Sequence, residues 1–572
     1  RRRHHQAFTV LACIASLFML AAIPFHFAGT SWALVWLLQA EMLFVAGFAS
    51  RETLFRHLGI VSGLAAVAQL IGAVALPVFT QRLLGPDTSH HTNAALAFAC
   101  GALAAWFNAE FATRRWPHLL ADDFDRMMLR VTSYVAALCA GVAVWLAVPG
   151  VWMLLPWLAA AAVLALISTR LRSTNLAQQA DLFCLAAITR AALVNFAQWD
   201  QFANAPRTVI LLLASALLYA NMRRRQPAHI LPQALIEPAY AWAAAGLLSV
   251  LAWYALQPAA VAVAWCLMGT VYLETGIASR RNFFRHQGFV LLVASFVRLF
   301  FINIALAPSP RMYTMLPLAA LYAWVYQRLH ASEPREGFDR FAGAINAWFA
   351  TSTVTTLLYF SLRPEWVAAG GAALAVAILL LARVLKRPLF TAQAMLLVLL
   401  AAGRTLAFNV LSPDPLAANF TAGRIFTAGL PCALLFAALP IAFSLRRLGQ
   451  EGTQEERAAL HPLLRHPEQV LFFAPLLVLF AWVPVQLRAD MITVGWSVLG
   501  VLTFLFALTV SERSYRLAGL GTLLVGVGKI ITVDIWQAAP IDRYITLIVM
   551  GAALLFVSFL YSRYRETILE LL

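Results

Sequence analysis

The stretch ERSYRLAGLGTLLVGVGKIITVD, residues 512–534, is apolar over a bilayer's width, yet it plants Lys529 and Asp534 near its end. About 20 apolar residues cross a hydrocarbon core of about 30 Å. A charge at its centre costs about 2.5–3.5 kcal/mol on an insertion scale. A lysine there needs a reason, and repetition is the first to look for, because a device used several times leaves a fixed period in the sequence.

Two other segments align with the start of this one without gaps, ETLFRHLG (52–59) and RNFFRHQG (281–288) beside ERSYRLAG (512–519). Thirteen residues beyond Arg56, Arg285 and Arg516 stand Gln69, Arg298 and Lys529, each a polar residue inside an apolar run. Two further runs carry an equivalent cation, Arg190 in AAITRAALVNF and Arg404 in AAGRTLAFNV. Ten residues before these five positions come Gly59, Ala180, Gly288, Ala394 and Gly519, all small. Five residues after the cations come Asn195, Asn303, Asn409 and Asp534, and the following connection closes on Arg207, Arg311, Arg424 or Arg543. The first copy is degenerate, with Gln69, Val74 and Arg82 in these places.

Working outward, the whole 572-residue chain is 62% hydrophobic and 12% charged, with a mean hydropathy of +0.77. A soluble chain is about one quarter charged. The pattern predicts an all-α polytopic transmembrane bundle of about 20 spans, built as five tandem four-helix repeats. The expected boundaries are 1–112 (degenerate), 113–222, 223–330, 331–445 and 446–572. In each repeat the first two helices form a hairpin with a tight outer turn, the third carries the motif and the fourth returns. An even number of spans per unit makes these parallel repeats, all entering from one side.

The 42 Lys and Arg side chains obey the same scheme. Alternate loops hold most of them, in runs such as RETLFR, RRNFFR and ERSYR. The opposite loops hold only Arg82, Arg207, Arg311, Arg363, Arg424, Arg488 and Arg543. This one-sidedness predicts that both termini are cytoplasmic. The net charge of +16 therefore belongs to loops beside a bilayer and not to a nucleic-acid-binding face. The longest polar piece, RRLGQEGTQEERAALHPLLRHPEQ, is expected to form a short cytoplasmic surface helix. No loop has room for a soluble domain. RRRHH and the apolar run after it are read as a first span and not a cleavable signal. Because the chain opens on Arg1 and not Met, it is expected to begin inside a longer precursor.

Signals for chemistry are thin. The six cysteines lie in apolar segments without a CxxC pair, and the twelve histidines show no ligand spacing, which argues against redox, metal or cofactor roles. GVGKIIT imitates a phosphate loop, but Leu523 replaces its first glycine and Ile530 its Ser/Thr. No catalytic residue is assigned, and the reading leans away from an enzyme. Pro156, Pro317, Pro431 and Pro440 are candidate helix breaks.

Two readings of the buried cations stay open. In the structural one, each cation meets backbone carbonyls or a carboxylate of a neighbouring unit, such as Glu41, Glu110, Asp181 or Glu274, and pins the register between repeats. In the ligand reading, Arg190, Arg298, Arg404 and Lys529, with Asn195, Asn303, Asn409, Asp534 and the outer arginines 207, 311, 424 and 543, line an anion site. On an ideal helix Lys529 and Asp534 stand about 140° and about 7.5 Å apart, so they are not expected to pair. Asp534 should instead cap its helix or meet Arg543.

The C-terminal stretch, with Arg516, Gly519, Gly521, Lys529, Asp534, Arg543, Gly551, Ser558 and Tyr561, resembles the closing segment of a bacterial multi-pass family. That family is known only as predicted membrane proteins with a domain of unknown function (DUF2339). The resemblance implies many helices and a bacterial inner-membrane location. Family members often carry an additional N-terminal polar or coiled segment, which fits a truncated or shorter chain here. No activity comes with the likeness. The resulting expectation is a non-enzymatic membrane component, either a scaffold within an envelope or energy-transducing complex or a binder of anionic lipid. The alternative is a transporter or flippase of an anionic or lipid-linked substrate. The partners expected are the bilayer, its anionic lipids and other membrane proteins.

Overall fold

The computed structural model describes residues 2–84, 91–120, 123–148, 150–196, 204–224, 228–305, 311–331, 337–412, 423–450, 465–489, 491–510, 512–534, 536 and 540–563. These form twenty helices and no strand. Fifteen are long and apolar enough to cross a membrane. The chain divides into two compact bodies, residues 1–303 and 304–572.

The first body holds α1 (Arg2–Ala22), α2 (Gly29–Ala49), α3 (53–84), α4 (Thr92–Arg115), α5 (Asp123–Ala147) and α6 (Leu154–Leu171). It continues with α7 (174–195), α8 (Asn204–Met222), α9 (Gln233–Ala255), α10 (Pro258–Ser279) and α11 (Asn282–Asn303). The second body holds α12 (Arg311–Ala331), α13 (Gly337–Ser361), α14 (Val367–Leu385), α15 (Pro388–Val410) and α16 (424–450). It ends with α17 (Pro467–Gln486), α18 (Ile492–Val510), α19 (Arg513–Asp534) and α20 (Pro540–Arg563). The surface helix expected after α16 falls on residues 451–464, outside the described residues.

Close backbone packing joins α2 to α3, α6 to α7, α10 to α11, α14 to α15 and α18 to α19, and also α4 to α5 and α12 to α13. The expected hairpins of first and second helices do turn tightly, α9 ending at Ala255 and α10 beginning at Pro258. Their backbones nevertheless stay further apart than those of the second and third helices. Small residues explain the difference. A Cβ added to Gly288 would lie 2.6 Å from Gly269 O and 2.8 Å from Leu273 N. Gly59 meets Ala40 O and Phe44 N at 2.8 Å, and Gly519 meets Phe504 N at 2.9 Å. Ala180 faces the corresponding Ala161 in α6, and Ala394 corresponds to Ala375 in α14, all fully or almost fully buried. In hydrocarbon no hydrophobic force draws helices together, so close packing through small residues takes over.

Four of the turns between these paired helices share one conformation. Arg51, Arg172, Arg280 and Lys386 are the described non-glycine residues at positive φ, between 50° and 58°, and each lies eighteen residues before its polar position. Two of the turns close with the 6→1 bond of a Schellman cap, Ser173 N to Ser168 O and Arg281 N to Gly276 O, both 3.1 Å. The left-handed conformation costs a non-glycine residue about 1–2 kcal/mol. The basic side chains at these four positions are exposed.

Helix irregularity falls elsewhere than at the prolines. α6 runs unbroken through Pro156, α12 through Pro317 and α16 through Pro431. Only α16 is interrupted, at Ala438 ahead of Pro440. The recurrent irregularity is a π-helical turn in every fourth helix: Ile71–Ala75 in α3, Ala191–Asn195 in α7, Leu299–Asn303 in α11, Thr405–Val410 in α15 and Ile530–Asp534 in α19. A sixth, Phe107–Ala112, lies in α4.

The glycine contacts generate a test. Gly288→Leu should lower the unfolding free energy in mixed micelles by about 1–3 kcal/mol or more, as overpacking does. Gly521→Ala, with nothing within 4 Å of its added Cβ, should change it by less than about 0.5 kcal/mol. Equal effects at the two positions would contradict close packing through Gly288.

Candidate functional site

Each π-turn begins one or two residues after one of the five polar positions. A π-turn bonds residue i to i+5, as in Phe196 N to Ala191 O at 3.0 Å and Leu411 N to Leu406 O at 2.9 Å. The widened turn carries the residue five positions on back toward the polar side chain.

Lys529 and Asp534 show the consequence and correct the ideal-helix expectation. Lys529 Nζ lies 2.5 Å from Asp534 Oδ1, and Thr493 Oγ1 donates to Asp534 Oδ2 at 2.6 Å. The regular α-helical rotation does not apply, because Ile530–Asp534 is wound as π. Lys529 Nζ also donates to Ala489 O at 3.0 Å, forty residues upstream at the mouth of α18. The ammonium is therefore held by a carboxylate and by a backbone carbonyl that begins the neighbouring helix.

The same construction serves α11 and α15. Arg298 Nη2 donates to Pro258 O at 3.0 Å and Asn303 Nδ2 to Ala259 O at 2.9 Å. Arg404 Nη2 donates to Pro364 O at 3.2 Å, and Asn409 Nδ2 to Glu365 O at 3.0 Å and Thr427 O at 2.9 Å. The intervals are forty residues for the cation and forty-four for the amide in both helices. Each guanidinium also lies against an aromatic ring: Arg298 Cζ is 4.0 Å from the Trp253 centroid, and Arg404 Cζ is 3.7 Å from that of Phe408. Bonds to charged donors contribute about 1.5–3 kcal/mol. The Nε and Nη1 atoms of both guanidiniums are left without a hydrogen bond.

These partners are backbone carbonyls, one of the two kinds that the structural reading offered, and not the carboxylates it named. Arg298, Arg404 and Lys529 reach carbonyls forty residues back and not a carboxylate of another unit. Glu41 instead accepts from Asn108 Nδ2 at 2.6 Å. Glu110 accepts from Arg114, Ser133 and Ser173 at 2.8–3.1 Å. Asp181 takes the Ile230 amide at 3.1 Å and the Tyr240 hydroxyl at 2.7 Å.

A second recurrent bond was not foreseen. The indole Nε1 of Trp36, Trp157, Trp265 and Trp496 donates to the carbonyl sixteen residues earlier, on Leu20, Gly141, Ser249 and Phe480, at 3.0–3.1 Å. These tryptophans stand thirty-three residues before Gln69, Arg190, Arg298 and Lys529, and Gly371 takes that place before Arg404. The spacing was visible in the chain. Only the fold shows that the indole crosses the tight turn and holds two helices whose backbones stand apart.

Arg190 differs in setting. It lines a groove of about 920 Å³ with walls from α3, α5, α6 and α7, including Phe79, Leu138, Trp145, Trp157 and Leu193. Phe79, Leu138 and Leu193 are exposed, so the groove opens on the side of the helices. Tyr134 and Thr189 are its other polar groups. Among the remaining site candidates, Asn195 and Arg207 are buried and Arg543 is partly buried. Arg311 and Arg424 begin α12 and α16, and their side chains lie outside what the structure describes.

The family model described as predicted membrane protein (DUF2339) matches residues 1–564, and the chain belongs to that family. No curated protein matches the chain, and no solved structure matches it.

The charge pair in α19 makes a strong prediction. Lys529→Met should destabilise the protein by about 3–5 kcal/mol, because it strands Asp534 without its cation. Adding Asp534→Leu should recover a large part of that loss, read as the unfolding free energy in detergent. A double variant as unstable as the single one would show that the pair is not what holds this turn.

Proposed function

We propose that this membrane protein is a non-enzymatic binder of an anionic amphiphile. The apolar tail would lie in the lateral groove of the first body, with the charged head at Arg190. The observation that carries this reading is the joining of a guanidinium to an apolar cavity of about 920 Å³. Sites for small molecules commonly enclose about 300–1,000 Å³, with apolar walls and a few placed polar groups. Arg suits a phosphate or carboxylate head because its planar fork can donate two parallel bonds. Arg298, Arg404 and Lys529 fit a structural part instead, tying a π-turn to the mouth of the preceding helix. We take the five four-helix repeats as the evolutionary frame of this arrangement, supported by the shared offsets of cation, amide, tryptophan and left-handed residue. A bacterial inner-membrane setting, with both termini on the cytoplasmic side, agrees with the loop charges.

A second reading, a transporter or flippase for the same class of amphiphile, draws on the π-turns. Irregular helices at polar positions are common in transport proteins. The groove supports binding first, because it opens sideways and places its cation beside lipid-accessible walls.

Lipid retained by the purified protein tests the proposal. Arg190→Gln should lower the ratio of phosphatidylglycerol to phosphatidylethanolamine in bound lipid at least threefold, with the protein still folded. Arg404→Gln should leave the ratio unchanged even where it lowers stability. An unchanged ratio in Arg190→Gln would overturn the proposal.

A further inference from the structure

A second cavity lies in the first body, away from Arg190, and it contains a polar group with no partner. Gln287 of α11 is 1% exposed, and neither its Nε2 nor its Oε1 has a hydrogen bond. It lines a cavity of about 520 Å³ walled by Trp242, Trp253, Tyr254, Trp265 and Ala245. Leaving a buried amide unsatisfied is unfavourable, so its presence calls for an explanation.

Related positions show what is missing. Gln287 stands eleven residues before Arg298, as Gln179 stands before Arg190 and Gln393 before Arg404. Gln179 is satisfied at both ends: its Oε1 accepts from Trp106 Nε1 at 3.0 Å, and its Nε2 donates to Ser133 Oγ at 2.7 Å. Gln393 Oε1 accepts from Thr351 Oγ1 at 2.9 Å. Ser133 lies forty-six residues before its glutamine and Thr351 forty-two before its own. The same steps back from Gln287 arrive at Ala241 and Ala245. Both are buried and neither has a hydroxyl. Where the related helices place a partner, α9 has methyl groups and, beside Ala245, a cavity.

We propose that this cavity binds a neutral, membrane-soluble ring compound bearing a carbonyl, with Gln287 Nε2 donating to that carbonyl. Three features define the class. The lining holds no ionised side chain, which excludes a charged head. Its walls include the large flat faces of Trp253 and Trp265, inclined at 28° with centroids 5.7 Å apart, and aromatic rings pack in offset or edge arrangements at such distances. The cavity is reached from the side of the helices, since Trp242, Trp253, Tyr254 and Val290 are 40–49% exposed. A ligand would therefore arrive through the hydrocarbon phase. The nearby guanidinium of Arg298 does not compete for it, being stacked on Trp253 and bonded to Pro258 O.

A short-chain ubiquinone is a suitable probe, titrated into the full-length chain in lipid nanodiscs and followed by tryptophan quenching and by equilibrium dialysis. The wild type should show saturable binding. Gln287→Leu, close in volume and free of the amide, should weaken it at least tenfold while leaving the thermal midpoint unchanged or higher. Ala241→Ser, which supplies a hydroxyl as Ser133 does for Gln179 Nε2, should weaken it similarly by accepting from the amide donor. It keeps the test valid if the leucine variant fails to fold. Arg190→Gln should bind the quinone normally, which separates this site from the lateral groove. Absence of saturable binding in the wild type would overturn the proposal, as would wild-type affinity in the Gln287→Leu and Ala241→Ser variants. Equal displacement by the saturated hydrocarbon tail alone would also overturn it.

Discussion

In a hydrocarbon medium every polar group must find its partner inside the chain, and this requirement organises the structure. A helix satisfies its own backbone except at its ends. The carbonyls of Pro258, Pro364 and Ala489, at or just before the starts of α10, α14 and α18, keep a lone pair free to accept a further bond. Arg298, Arg404 and Lys529 reach those carbonyls from the next helix. A cation that would be unfavourable alone is thereby held by backbone oxygen of the neighbouring helix end. The π-turn completes the arrangement by bringing Asn303, Asn409 or Asp534 to the same region.

The rest of the packing follows from where that bond must reach. The cation needs its helix close to the one before it, and glycine or alanine at positions such as Gly288 and Ala394 permits the approach. The preceding tight turn needs a brace across a wider gap, and the indole of Trp265 or its counterparts spans it. On the opposite side the chain reverses through a basic residue in the left-handed conformation. Small residue, indole, cation and turn hold fixed distances from one another along the chain. A change in any one shifts the geometry of the others.

Departures from this arrangement mark the places where ligands are proposed. Arg190 keeps the position of the other cations but borders a lateral apolar groove. Gln287 keeps the position of Gln179 and Gln393 but has no counterpart of the hydroxyl that bonds each of them. A structural residue that recurs with its partner needs no further role. Gln287, which recurs without its partner and beside a cavity, is a better candidate for binding.

The apolar runs, the arginine-rich alternate loops and the intervals between Gln69, Arg190, Arg298, Arg404 and Lys529 determined by themselves an all-helical membrane chain of about twenty helices. Length and hydropathy are local properties, and the bilayer translates them directly into helices. The partners of the cations were decided only by the tertiary structure. Whether Lys529 meets Asp534 depends on five residues winding as π and not α, a choice tied to packing against the neighbouring helix. The indole bonds and the unsatisfied amide of Gln287 likewise depend on which helices stand side by side. Periodicity along one helix cannot specify a distance to another.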